Sequence, residues 1–202
     1  MKIIVLAGGL SPERSVSLVT GVSVCRALRA RGHQAALVDM FLGLEDYAGP
    51  LEDIFSSPDG RCGHAAIDPA APDLAAVRQS RRDRSPSLFG PGVLEVCRLA
   101  DMVFLGLHGA CGEDGRVQAA FDLLGIPYTG GGCLASGMAM NKAVTKQVME
   151  RCGIRTAPWR EVRYTREDIP RLTEELDVPC AVKTLCLIHI SEPTRQAEIS
   201  YA

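Results

Sequence analysis

The first forty residues constrain the fold most. Lys2-Ile3-Ile4-Val5-Leu6-Ala7 is a nearly continuous run of apolar, mostly branched residues, the pattern of a strand buried on both faces. Gly8-Gly9-Leu10 breaks the run. Ser11-Pro12-Glu13 then offers a hydroxyl N-cap, a proline at the first helical position and an acid in the first turn. Leu18, Val22, Cys25 and Leu28 follow at helical spacing until Gly32, and Gln34 to Val38 reads as a second strand. Strand, tight turn, helix and strand in that order predict a right-handed βαβ unit.

The pattern resumes further along. Val93 to Leu99 predicts a short helix, and Met102 to Leu107 a buried strand. His108 to Gly115 is a glycine-rich loop, Val117 to Leu124 a helix ending at Gly125, and Ile126 to Tyr128 a short strand before Gly130-Gly131-Gly132. Residues 40–90 hold Pro50, Pro58, Pro69, Pro72 and Pro86 and a basic run from Arg78 to Arg84. They are expected to form a long surface excursion with one short helix near Leu74 to Arg78, the basic run being a solvated face. Residues 1–132 thus read as a parallel α/β domain. Past the triple glycine, Ala143 to Cys152 predicts a helix, Trp159 to Val162 a strand, Glu167 to Leu176 a helix and Cys180 to Lys183 a buried strand. These read as the beginning of a second domain, residues 133–184.

Composition narrows the classes. A chain of 202 residues that is 47% hydrophobic and 23% charged can bury a core. A net charge of -2 argues against a nucleic-acid partner bound through a basic face. No apolar run approaches the ~18–20 residues of a membrane span, and the N-terminal run is too short for a signal peptide, so a cytoplasmic location is expected. The eight cysteines include no CxxC pair and no nearby histidine pair at zinc spacing, which favours reduced, mostly buried thiols.

Ligands of parallel sheets bind beyond the carboxyl ends of the strands, and Gly8-Gly9 and His108-Gly109 both fall there. A Gly-Gly turn entering a helix exposes backbone N–H groups suited to an anion. Glu13 is either a helix-dipole carboxylate or a carboxylate aimed at a substrate ammonium. His108 is either a satisfied structural histidine or a ligand contact. Glu113 and Asp114 stand where they can simply cap a helix. Lys142 and Lys183 are either solvated or a pair holding a nucleotide phosphate.

Three strings combine at this point: Gly8-Gly9-Leu10-Ser11-Pro12-Glu13-Arg14-Ser15-Val16-Ser17-Leu18; His108-Gly109-Ala110-Cys111-Gly112-Glu113-Asp114-Gly115-Arg116-Val117-Gln118; and Met140-Asn141-Lys142 with Ala181-Val182-Lys183. Their order and spacing, over residues 1 to about 183, closely resemble the D-alanine–D-alanine ligases, ATP-grasp enzymes of cell-wall precursor synthesis. The resemblance implies a pre-ATP-grasp, Rossmann-like α/β domain followed by a truncated ATP-grasp subdomain. It implies ATP-dependent joining of two D-alanines through a D-alanyl phosphate for peptidoglycan synthesis, with ATP, Mg²⁺ (or Mn²⁺) and a homodimer. Glu13 matches the glutamate that engages the first substrate's ammonium, the one catalytic assignment. Ser17, one helical turn on, matches part of the network holding that glutamate, and His108 a histidine near the first D-alanine's carboxylate. Lys142 and Lys183 match lysines on the ATP phosphates. No metal ligand is matched. Such ligands are expected in a later part of the family's sequence.

The sequence departs from the family at Ser15, where an acid is common, and at Asn141, where Asp is common. After Lys183 the family continues with Pro, a Gly/Ser-rich loop and over a hundred residues. Here residues 185–202 instead resemble translated sequencing-adapter read-through and are expected to be foreign to the gene, leaving this polypeptide inactive. Ligases taking D-lactate or D-serine as second substrate are alternatives, as is a non-catalytic nucleotide- or anion-binding α/β module.

Overall fold

A computed structural model of the chain describes residues 1–67, 70–110, 112–176, 179–184 and 197–201. It divides into two compact units, Met1–Cys133 and Leu134–Ala202.

The first unit is a three-stranded parallel sheet. Strand β1 (Lys2–Ala7) is central, flanked by β2 (Gln34–Asp39) and β3 (Met102–Leu105). β1 runs in register with β2 from Lys2↔Gln34 to Ala7↔Asp39, and with β3 from Ile3↔Met102 to Leu6↔Leu105. Being covered on both faces, β1 buries Ile4, Val5, Leu6 and Ala7 completely. Helix α1 (Arg14–Ala30) makes the crossover from β1 to β2. It packs against the sheet through Gly21, where a Cβ would stand only 2.6 Å from the Ala7 Cβ and 2.7 Å from Leu37 Cδ1. The helix closes at Gly32 (φ +85°), with the Gly32 N–H on the Arg29 carbonyl at 2.9 Å and the His33 N–H on the Leu28 carbonyl at 3.1 Å, a Schellman stop.

Residues 40–90 differ from the expected surface excursion. Met40, Phe41, Ile54 and Phe55 are at most 1% exposed, and all but Phe41 join the main core with Ile4, Leu6, Val96 and Phe121. A short 3₁₀ helix (Leu51–Ser56) carries Ile54 and Phe55 inward, while α2 (Leu74–Ser80) buries nothing. The basic run is not uniformly solvated either. Arg81 is 2% exposed. Its guanidinium lies over the Phe41 ring and donates to the carbonyls of Asp83 (2.9 Å), Phe41 (3.2 Å), Ser87 (2.8 Å) and Ser85. Buried guanidinium hydrogens need acceptors, and carbonyls of the folded-back segment supply them. Glu45 secures the same segment by accepting the N–H groups of Arg82 (2.9 Å) and Asp83 (2.7 Å), which hold its carboxyl below its usual range.

Helices α3 (Val93–Arg98) and α4 (Arg116–Leu124) complete the layers of this unit. The strand expected at Ile126 to Tyr128 reduces to one parallel bridge, Val103↔Tyr128. Pro127 has no N–H to offer a ladder, so only the Val103 N–H to Pro127 carbonyl (2.8 Å) and Thr129 N–H to Val103 carbonyl (3.0 Å) bonds form. Of the expected buried thiols, Cys25, Cys62 and Cys97 are buried, Cys133 and Cys180 half-buried and Cys152 exposed, all unpaired. Cys111 and Cys186 lie outside the described residues.

The second unit contains most of α5 (Cys133–Met140), then α6 (Lys142–Arg151), β4 (Arg160–Tyr164), α7 (Ile169–Glu174), β5 (Val182–Thr184) and β6 (Ala197–Tyr201). The sheet is antiparallel in the order β4-β6-β5. Helix α5 has no counterpart in the sequence reading. Of residues 185–202, only the five of β6 are described. Before α7, Thr165 and Asp168 form a reciprocal capping box that holds the Asp168 carboxyl below its ordinary value.

Candidate functional site

The strand order places β2 and β3 on opposite sides of β1, so the crossover direction reverses between β1 and β3. That reversal opens a crevice at the carboxyl ends of these two strands, the usual ligand position in such sheets. The Gly8-Gly9 turn leaves β1 there, Gly106 to Gly109 leaves β3, and the first turns of α1 lie beside both.

Hydroxyls tie these segments together. The fully buried Ser17 Oγ accepts the Gly8 N–H at 2.9 Å and donates to the Gly106 carbonyl at 2.7 Å. Ser11 Oγ donates to the His108 carbonyl at 2.8 Å and accepts the Glu13 N–H at 3.2 Å. Ser11 thus has the expected capping contact, but the first turn is wound tighter, Arg14 N–H reaching the Ser11 carbonyl at 3.1 Å, and the α-helix proper starts at Arg14. Thr20 Oγ1 lies 3.2 Å from His108 Nε2.

Charged groups fix the turn itself. Arg14 is 8% exposed, donates to the Gly9 carbonyl at 2.6 Å and forms a two-pronged pair with Asp39. Asp39, at the end of β2, also accepts the N–H groups of Phe41 (2.9 Å) and Leu42 (3.0 Å). Sequence reasoning gave neither residue a role. The only available signal was Arg14 itself, a cation inside an otherwise small and apolar stretch of helix.

Glu13, Ser17 and His108 come together at this crevice. The Glu13 residue is exposed, and a Cβ on Gly109 would stand 3.0 Å from its Oε2. Gly109, at φ +75°, therefore leaves space in front of the carboxylate. Among the described residues no donor occupies that carboxylate. The Ser17 hydroxyl does not contact it, because both hydrogen bonds of that hydroxyl go to the strand ends. Of the two acids expected as simple caps, Glu113 folds back to accept the Gly109 N–H at 2.7 Å. Asp114 takes the Arg116 N–H at 3.1 Å, at the start of α4. Gln118, 5% exposed, donates to the Gly112 carbonyl at 2.8 Å and so closes the loop from below.

Lys142 and Lys183 belong to the second unit. Lys142 opens α6 behind Asn141, whose side chain caps the helix by accepting the Val144 N–H at 3.0 Å. The buried strand expected at Cys180 to Lys183 is instead the exposed β5, with Val182 49% exposed and Lys183 in its middle. β5 pairs with β6, and among the described residues nothing is hydrogen-bonded to either lysine side chain. No cluster of three or more His, Cys, Asp or Glu side chains able to hold a metal ion occurs among the described residues. Among the described residues no helix is long and apolar enough to cross a membrane.

A sequence-family model described as "D-ala D-ala ligase N-terminus" matches residues 2–131. The chain is 43% identical over 183 residues to a D-alanine–D-alanine ligase of Lacticaseibacillus casei, covering 91% of this chain and 50% of that one. It is 38% identical over 182 residues to that of Geobacter sulfurreducens, covering 90% and 42%. The chain thus spans about half the length of the relatives it matches. Among solved structures, the Bacillus anthracis ligase complexed with ATP superposes with a TM-score of 0.56 at 22% identity, covering 100% of this chain and 57% of that one. The Coxiella burnetii ligase gives 0.58 at 19% identity, covering 100% and 60%. These two likenesses establish fold alone. With the family match spanning the whole parallel α/β unit and its crevice, the chain belongs to the D-alanine–D-alanine ligase N-terminal family.

Proposed function

We propose that the chain is the amino-terminal part of an ATP-dependent D-alanine–D-alanine ligase serving peptidoglycan synthesis, and that its first unit binds the first D-alanine. The observation carrying this reading is the exposed Glu13 carboxylate standing over the cleared face of Gly109. A carboxylate held there suits a primary ammonium. The turn N–H groups of Gly8 and Gly109 are held by Ser17 and Glu113, so the His108 ring is the group left to meet the ligand's carboxylate, and one zwitterion is gripped at both ends. Ser17, Arg14 and Asp39 keep the turns in place without touching the ligand.

Residues 133–184 are then the start of the ATP-grasp domain, with Lys142 and Lys183 meeting ATP phosphates. Lysine charge beside a transferring phosphoryl group offsets the negative charge that develops there. The reaction expected of the family activates the first D-alanine as an acyl phosphate, and the amine of the second attacks it. Mg²⁺ supplies charge neutralisation when bound, and its ligands are not among the residues matched here. The 202-residue polypeptide by itself is accordingly expected not to turn over.

D-alanine titrated into ¹⁵N-labelled chain should shift the Gly8, Gly9 and Gly109 amides saturably, and Glu13→Gln should abolish the response. Shifts that are absent, or that persist in Glu13→Gln, would overturn the assignment. Phosphate release from ATP and D-alanine by the same polypeptide would refute its inactivity.

A further inference from the structure

Thr20 is a helical threonine with an unusual habit. A threonine inside a helix commonly turns its hydroxyl onto the carbonyl one turn back. Two others here do so: Thr145 donates to the Asn141 carbonyl at 3.0 Å and Thr173 to the Ile169 carbonyl at 2.8 Å. The Thr20 hydroxyl instead points across to β3's exit, and among the described residues its only partner is His108 Nε2, 3.2 Å away. It lies on one stripe of α1 with Glu13 and Ser17, at i+7 and i+3 spacing.

We infer that Thr20 is a positioning residue for His108: its hydroxyl donates to Nε2 and holds the neutral ring as the Nδ1–H tautomer, presenting Nδ1–H to an anionic ligand group in the crevice. The local geometry and the chemistry of the ring support this. Among the described residues the hydroxyl has no backbone acceptor, which leaves the ring nitrogen as the protein acceptor for its proton. A neutral imidazole that accepts at Nε2 must carry its proton on Nδ1. Among the described residues nothing occupies Nδ1. The His108 carbonyl is pinned by Ser11, so backbone and ring are both fixed from the α1 side. Glu13 takes positive charge, and a ring fixed as a donor takes negative charge, so the pair reads a zwitterion with polarity. The ligand half of this inference rests on the D-alanine reading above, whereas the tautomer does not.

The test uses the 202-residue chain, ¹⁵N-labelled, in mildly alkaline solution where imidazoles are neutral. Long-range ¹H–¹⁵N spectra report which ring nitrogen is protonated, and His108→Gln identifies the signals. The wild type should show protonated Nδ1 and bare Nε2. Thr20→Val should move the ring toward Nε2–H and weaken D-alanine binding about fivefold, the loss of one hydrogen bond. Thr20→Ser should restore both. An Nε2–H tautomer in the wild type, or an unchanged tautomer in a folded Thr20→Val, would overturn the inference. If Thr20→Val does not fold, the wild-type and Thr20→Ser spectra decide it. A correct tautomer with no D-alanine binding at all would sink the substrate reading and leave the positioning role standing.

Discussion

Ser17 and Gly106 are 89 residues apart in the chain and joined by a 2.7 Å hydrogen bond inside the core. The same hydroxyl receives the Gly8 N–H, so one oxygen links the exits of two adjacent strands. Ser17→Ala would leave a buried donor and a buried acceptor unpaired. The expected loss is about 2–4 kcal/mol, read from urea unfolding. A loss below about 1 kcal/mol, within the range of a single ordinary hydrogen bond, would mean that the strand ends do not depend on it.

Asp39→Ala should be more damaging. It strands the Arg14 guanidinium, whose side chain is only 10% exposed, and frees the backbone N–H groups of Gly9, Phe41 and Leu42. Removing one member of a buried pair costs about 3–5 kcal/mol. Replacing both with apolar residues of similar size should recover part of that loss. A double variant no more stable than the single one would show that the pair is not the cause.

Arg81→Lys should fail as a conservative change. The guanidinium serves four carbonyls in a fixed plane and stacks on Phe41, and a lysine ammonium has three donors and no plane. Limited proteolysis should open the chain between residues 82 and 89 in this variant before any other site. Wild-type resistance in Arg81→Lys would contradict the account.

Burial pushes the Cys97 thiol up from 9.0 to about 12, and it raises Cys25 as well, with the Cys62 thiol alongside as a further cause. A thiol that stays protonated in the fold but ionises in the unfolded chain binds more protons when folded. Its stabilising contribution is therefore whole below about 9 and declines as pH rises toward about 12. The urea midpoint should fall with alkalinity in this window, and less steeply in Cys97→Ala. Near neutral pH, among the described cysteines a thiol reagent should label exposed Cys152 first and reach Cys25 and Cys97 only on unfolding.

The βαβ start was legible because each signal agreed with the next: branched run, glycine turn, helical spacing, second run. The crevice was legible at Glu13 and His108 because both flank glycines at strand exits. Ser17 was placed correctly on the helix but not in its bonds, since both partners are backbone groups and backbone carries no sequence signal. Residues 40–90 misled because Met40, Phe41, Ile54 and Phe55 enter the core without period, between prolines that mark turns. Arg81 misled because a run of arginines looks like a solvated face, and only the fold reveals which one is enclosed. Lys183 was read as the end of a buried strand because its apolar neighbours suggest burial, yet β5 leaves Val182 half exposed.

Gly21 gives the crevice its depth. With no Cβ there, α1 rests directly on Ala7 and Leu37. Glu13, Ser17 and Thr20 ride on or beside the same rigid rod, so their height above the strand exits is fixed by an absent methyl at the helix's midpoint. An alanine at that position would act as a shim. It would lift the carboxylate, the strand-joining hydroxyl and the histidine's partner together, altering the grip on a ligand without changing any group that touches it.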